Sequence, residues 1–114
     1  MSNEKNIMYI GSNAAQIEEN TGISQRVQEE ICLMAKKYHI QKIVLFGSRA
    51  RGDYRRISDI DLAVYGGEYA EFCLDVDETT YTLLKYDFVY MDSNVQPELR
   101  EAIEKEGITL YEKI

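Results

Sequence analysis

The sequence has one histidine, one proline and two cysteines, and basic residues are outnumbered. No run approaches the roughly 20 consecutive apolar residues of a membrane-spanning helix, so no membrane role is expected. The lone histidine, His39, falls at the end of a helical stretch. There it reads as exposed, or as a partner of the helix dipole, rather than as a general base. Cys32 and Cys73 lie far apart, follow no metal-ligand spacing and sit in apolar surroundings. They read as buried, reduced thiols. Met1 to Lys5 leads into no long apolar segment of the kind a secretory signal needs, and the expected location is cytoplasmic. Lys and Arg number 13 against 20 Asp and Glu, a net charge of −7. That balance argues against broad nucleic-acid binding, which needs a basic surface to neutralise phosphates. An acidic body with one basic pocket suits a small anionic ligand or a basic protein partner.

The one basic cluster is informative. Arg49, Arg51, Arg55 and Arg56 fall within eight residues, just after Gly47-Ser48. An apolar run, Lys42 to Phe46, leads into Gly47 and reads as a strand. Glycine permits a positive φ and close backbone approach, and Ser48 is expected to cap a helical turn whose free N–H groups attract anions. Guanidinium forks suit phosphate oxygens. Arg49 and Arg51 are the expected phosphate ligands; Arg55 and Arg56 read equally well as a solvated loop balancing nearby acids. Gly11-Ser12 repeats the dipeptide, but no acid pair follows it at the same distance.

After a gap of ten residues from Ser48 come Asp59-Ile60-Asp61, opening a second apolar run to Tyr65. In a strand, residues i and i+2 share a face. Asp59, Asp61 and Ala63 then lie together, and Ile60, Leu62 and Val64 face the core. At ~4 Å and an effective dielectric of ~20, two such carboxylates repel by about 4 kcal/mol. A divalent cation reverses that cost, and Mg²⁺ takes one or two carboxylates together with substrate phosphates. Alone, an acid pair on a strand is equally a solvated, idle surface. Joined to the strand, the Gly-Ser turn and the arginines, it points to metal-assisted nucleotidyl transfer.

The stretch Val44-Leu45-Phe46-Gly47-Ser48-Arg49-Ala50-Arg51-Gly52, followed by Ser58-Asp59-Ile60-Asp61-Leu62-Ala63-Val64, resembles the minimal nucleotidyltransferases of the DNA polymerase β-like superfamily. The resemblance runs from about Gly22 to the C-terminus, including the tail from Pro97 to Glu112. It implies an α/β (α+β) palm, a mixed sheet with helices packed on one face. It divides the chain into an N-terminal extension, 1–20, and a minimal nucleotidyltransferase domain, 21–114. It also implies two Mg²⁺ ions, ATP or another NTP as substrate, and a third carboxylate on a later strand. The run Tyr86 to Met91 offers Asp87 for that role, with Asp75, Asp77 and Asp92 as rivals. Asp87 is otherwise an acid that keeps a sheet edge from aggregating. The subgroup most similar is the MNT antitoxin of HEPN/MNT toxin–antitoxin modules, which adds AMP to a tyrosine of a HEPN ribonuclease. The resemblance thus implies catalysis and metal binding by Asp59, Asp61 and Asp87, and nucleotide binding by Gly47, Ser48, Arg49 and Arg51. The short palm leaves little room for an acceptor site, so the resemblance implies a protein partner or a homodimer mate. Two rival readings are an antitoxin acting by contact alone and a small-molecule nucleotidyltransferase.

Other elements follow from periodicity. Ser24 is expected to cap a helix to about Tyr38, with Ile23, Val27, Ile31, Met34 and Tyr38 on one stripe. Residues 68–77 read as a second helix. Pro97 and Gly107 bracket a third, with Leu99, Ala102 and Ile103 inward. Strands are expected at 42–46, 59–65, within 83–91, and at 108–111, the last at a sheet edge. Ile7 to Ile10 reads as a short strand, a docking arm or a disordered segment. Tyr54, inside the arginine loop, is able to stack on a base or simply to pack.

Overall fold

The computed structural model describes the backbone of residues 7–9 and residues 13–113 in full. The second Gly-Ser, Gly11-Ser12, lies outside the described residues. Among the described residues ten elements follow in the order β1 (Ile7–Tyr9), α1 (Ala14–Thr21), α2 (Gln25–Lys37), β2 (Lys42–Phe46), α3 (Gly47–Arg51), β3 (Ile60–Tyr65), α4 (Tyr69–Thr79), β4 (Tyr86–Tyr90), α5 (Pro97–Glu106) and β5 (Ile108–Lys113). The strands form one mixed sheet in the order β1-β5-β2-β3-β4. Only β3 and β4 run parallel; the other pairs are antiparallel.

Alternation along the strands sorts the two faces. Ile43 and Leu45 of β2, and Ile60, Leu62 and Val64 of β3, pack with Val27, Ile31 and Ala35 of α2 and Phe72 and Val76 of α4. Burying each such side chain contributes roughly 1.5–3 kcal/mol, so this layer carries most of the stability. Ser24 caps α2 as its sequence demands, its Oγ accepting the Val27 N–H at 3.2 Å. Cys32 is buried and donates to the Leu110 carbonyl; burial pushes its thiol up to about 12, so it stays protonated.

The opposite face is covered in part by α5. Val44, Ala63 and Met91 pack there with Ile103, and Val89 and Leu99 join them. A helix's amphipathic stripe says that it buries a face, not which side of the sheet receives it. β5 differs from its expected edge position, because β1 pairs along its outer side and β2 along its inner one. β3 begins one residue after the expected start, leaving Asp59 just ahead of the ladder.

Candidate active site

The site forms where β2 ends and β3 begins. Phe46 and Asp61 are register partners, so the next residue, Gly47, turns directly beside the Asp61 carboxylate. Gly47 has φ +77°, and a Cβ there would collide with Asp61 Oδ2. Glycine is thus required twice over, by the backbone and by the acid it touches. The cap position of α3 is Phe46, and Ser48 falls inside the first turn, not at its cap as the sequence suggested. The Ser48 carbonyl accepts the N–H groups of Gly52 and Asp53 at 2.9 and 3.1 Å, which closes the turn.

Parallel pairing of β3 with β4 sets Asp61 opposite Asp87. Neighbouring strands lie only ~4.8 Å apart, so two carboxylates on one face at this register are coupled. Asp61 is half-buried, whereas Asp59 and Asp87 are exposed. Burial, then the charges of Asp87 and Asp59, push the Asp61 carboxyl up to about 6; Arg51 and Arg49 oppose them more weakly. The group therefore carries an uncompensated charge at neutral pH. The rivals for the third carboxylate lie elsewhere. Asp75 accepts from Tyr38 Oη at 2.8 Å and Lys37 Nζ at 3.4 Å in the helical layer, Asp77 also belongs to α4, and Asp92 follows the end of β4.

The arginines divide sharply. Arg49 was expected to bind phosphate, and the structure corrects this: it is 2% exposed and its donors are spent on the backbone. Nη1 donates to the Thr21 carbonyl at 2.7 Å, Nε to that of Ser58 at 3.0 Å and Nη2 to that of Arg56 at 3.0 Å. Tyr54 lies against this guanidinium, its ring centroid 4.7 Å away, which gives that tyrosine a packing role. Arg49 thus ties the end of α1 to the loop that delivers Asp59. No periodicity reveals such a clamp, because its acceptors are main-chain carbonyls. Replacing Arg49 by Ala is expected to cost about 3 kcal/mol or more, since several buried carbonyls lose a charged donor. A urea unfolding curve measures it.

Arg51 stays half-exposed and points to solvent-accessible acids, Asp53 at 3.3 Å and Glu106 of α5 at 3.8 Å. These surface pairs are weak and exchangeable for a phosphate. Glu106 is a neighbour the sequence did not flag, because only the tertiary placement of α5 brings it near. Arg51→Ala is expected to leave folding unchanged and to raise the KM for nucleotide about tenfold, the loss of one charge-assisted contact. Initial-rate measurements against nucleotide concentration check it. His39 is paired at its Nδ1 with Glu68 Oε2 at 2.6 Å, on the far side of β3's other end.

Among the described residues, no group of three or more His, Cys, Asp or Glu side chains forms a metal cage by itself. The donor set still fits Mg²⁺, which is usually held by one or two carboxylates with phosphate and water supplying the rest. A half-buried Asp61 beside the register-paired Asp87 is such a set. A cavity of about 270 Å³ opens on the helical side, between Ile23, Val27 and Leu84, and does not include the carboxylates. No helix among the described residues is long and apolar enough to cross a membrane.

The family described as "Polymerase beta, Nucleotidyltransferase" matches residues 29–114. Over 65 residues the chain is 43% identical to "Putative protein adenylyltransferase MJ0604" of Methanocaldococcus jannaschii, covering 55% of this chain and 63% of that protein. Among solved structures, a toxin–antitoxin with AMP-PNP superposes with a TM-score of 0.60 at 25% identity, covering 75% of this chain and 73% of the other. A structure described as a "putative minimal nucleotidyltransferase" gives a TM-score of 0.57 at 25% identity, covering 89% and 95%.

Proposed function

The chain belongs to the polymerase β nucleotidyltransferase family, and from that premise we propose that it moves AMP from ATP to a hydroxyl of a partner protein. The acceptor in this reading is a tyrosine of a HEPN-type ribonuclease toxin, and the chain is its antitoxin. The observation that carries the proposal is the contact of Gly47 with Asp61, with Asp87 in register beside it. It joins a phosphate-approach turn to paired carboxylates on one face. A relative named as a protein adenylyltransferase supports a protein acceptor, and a toxin–antitoxin neighbour holding AMP-PNP supports both ATP and a partner.

In this mechanism the start of α3 offers its unpaired N–H groups to the β- and γ-phosphates. Ser48 adds its hydroxyl, and Arg51 leaves its surface acids for phosphate oxygens. Asp59, Asp61 and Asp87 are the residues that would hold Mg²⁺, with phosphate and water completing its coordination. When bound, the metal neutralises the carboxylates and offsets charge on the phosphates. The acceptor oxygen bonds to the α-phosphorus as the α–β bridging bond breaks. Pyrophosphate leaves, and the acceptor proton passes to Asp87. Positioning and charge stabilisation supply most of the acceleration.

Labelled ATP tests the reaction type. With the protein encoded beside this chain as acceptor, label on the α-phosphate is expected to stay with that protein and label on the γ-phosphate to be released with pyrophosphate. Retention of γ-label instead makes the chain a phosphoryl transferase and overturns the proposal.

A further inference from the structure

The strand that carries Asp87 is the outermost strand on its side of the sheet. Its sequence, Tyr86-Asp87-Phe88-Val89-Tyr90, has no proline and a single charge. Natural edges are normally blunted by charges, prolines or bulges. The inner ladder uses the main chain of alternate residues: Ile60 N–H donates to the Lys85 carbonyl, and Met91 N–H to that of Val64. By that alternation Asp87 and Val89 also turn inward, and Tyr86, Phe88 and Tyr90 turn their N–H and C=O groups outward. The Tyr90 carbonyl is taken by Ser93. Among the described residues, no hydrogen bond reaches the outward groups of Tyr86 and Phe88 or the Tyr90 N–H.

Side chains give the same picture. Tyr86, Phe88 and Tyr90 stack along the helical side of this edge, against one another or against Tyr69 and Phe72. All three remain half-buried, because among the described residues no element lies beyond them. The loop entering β4 holds Tyr81 at 69% and Leu83 at 104% exposure. Apolar groups left beside an open edge mark a surface built to be covered.

We propose that an extended segment of the acceptor protein adds to β4 as a further strand, delivering its hydroxyl to the site face beside Asp87. This rests on the nucleotidyl-transfer reading above and names how its acceptor is held. Strand addition fixes the segment by main-chain bonds, and alternation sends every second side chain to the carboxylate face. Charge selects the occupant. The chain is acidic overall, at −7, and at this edge the acids Asp87 and Asp92 outnumber the one cation, Lys85, so the segment carries basic residues around its hydroxyl.

The test uses two synthetic nine-residue peptides, each basic at both ends with one central tyrosine among β-formers. One is N-methylated at alternate backbone positions, which removes its strand-pairing donors. Amide exchange of this chain is followed residue by residue by NMR, with Mg²⁺ and a non-hydrolysable ATP analogue present. The unmodified peptide is expected to slow exchange at Tyr86, Phe88 and Tyr90 about tenfold or more, with little change at Asp87 and Val89. The methylated peptide is expected to do neither this nor accept AMP. Equal AMP transfer to both peptides, or no protection of the outward amides, overturns the proposal. Protection already present in the free chain and rising with its concentration also overturns it, in favour of pairing between copies. If the neighbouring protein still receives AMP while the edge amides stay unprotected, the edge proposal alone has failed.

Discussion

Asp61→Asn is expected to abolish nucleotidyl transfer, by about 10³-fold or more, and to make the fold more stable at neutral pH. The two effects share a cause. Burial and the charges of Asp87 and Asp59 raise this carboxyl from 3.8 to about 6. Its folded form therefore favours the proton. The contribution of Asp61 to stability is fully present below about pH 4 and is lost as pH rises through 6. A shift of this size corresponds to at most about 3 kcal/mol, and partial solvent contact reduces that to about 1 kcal/mol. Asparagine removes the penalty and with it the charge that the proposed reaction uses. Urea unfolding at pH 5 and pH 8 checks it. The gap between the two proteins is expected to widen at the higher pH. A variant equally stable or less stable at pH 8 contradicts the electrostatic account.

The second large effect is expected at Gly47. Alanine there meets two obstacles, a left-handed backbone at φ +77° and the Asp61 carboxylate in the path of the new Cβ. The backbone cost alone is about 1–2 kcal/mol. The collision moves Asp61, and misplacement by about an ångström costs ~10²-fold in rate. Gly52 provides the control. It has φ +91°, yet nothing lies within 4 Å of a Cβ built on it. Gly52→Ala is thus expected to lose similar stability and to keep most of its transfer activity. Equal loss of activity in both variants makes backbone strain, not the contact with Asp61, the cause. Paired thermal melts and transfer rates separate the two.

These residues also show what the sequence makes legible. The Gly-Ser turn and the acid pair could be read because each sits at the end of an apolar run, and strand alternation fixes which side chains share a face. Alternation also puts Asp87 on the carboxylate side of its strand, but the expectation of a third carboxylate there came from the family resemblance and not from any pattern in the run. Arg49 was not legible: it has the composition of a phosphate ligand, and only the fold brings the Thr21, Ser58 and Arg56 carbonyls around it. The placement of α5 beside the site was equally hidden. Its inward residues Leu99 and Ile103 satisfy either side of a sheet, and Glu106 meets Arg51 only once that side is chosen. β5 lost its edge position to a three-residue strand whose short apolar run has no decisive period.

In the proposed reaction the turn at Gly47 and the carboxylates at Asp59, Asp61 and Asp87 transfer a nucleotide to a partner protein. Intact mass of the protein encoded beside this chain tests it most directly, after incubation with Mg²⁺ and each NTP in turn. A mass gain of whole AMP units is expected with ATP, absent when Asp61→Asn replaces the unaltered chain. An unmodified partner that is still bound and silenced by both versions would contradict it, and would make this chain an inhibitor by contact.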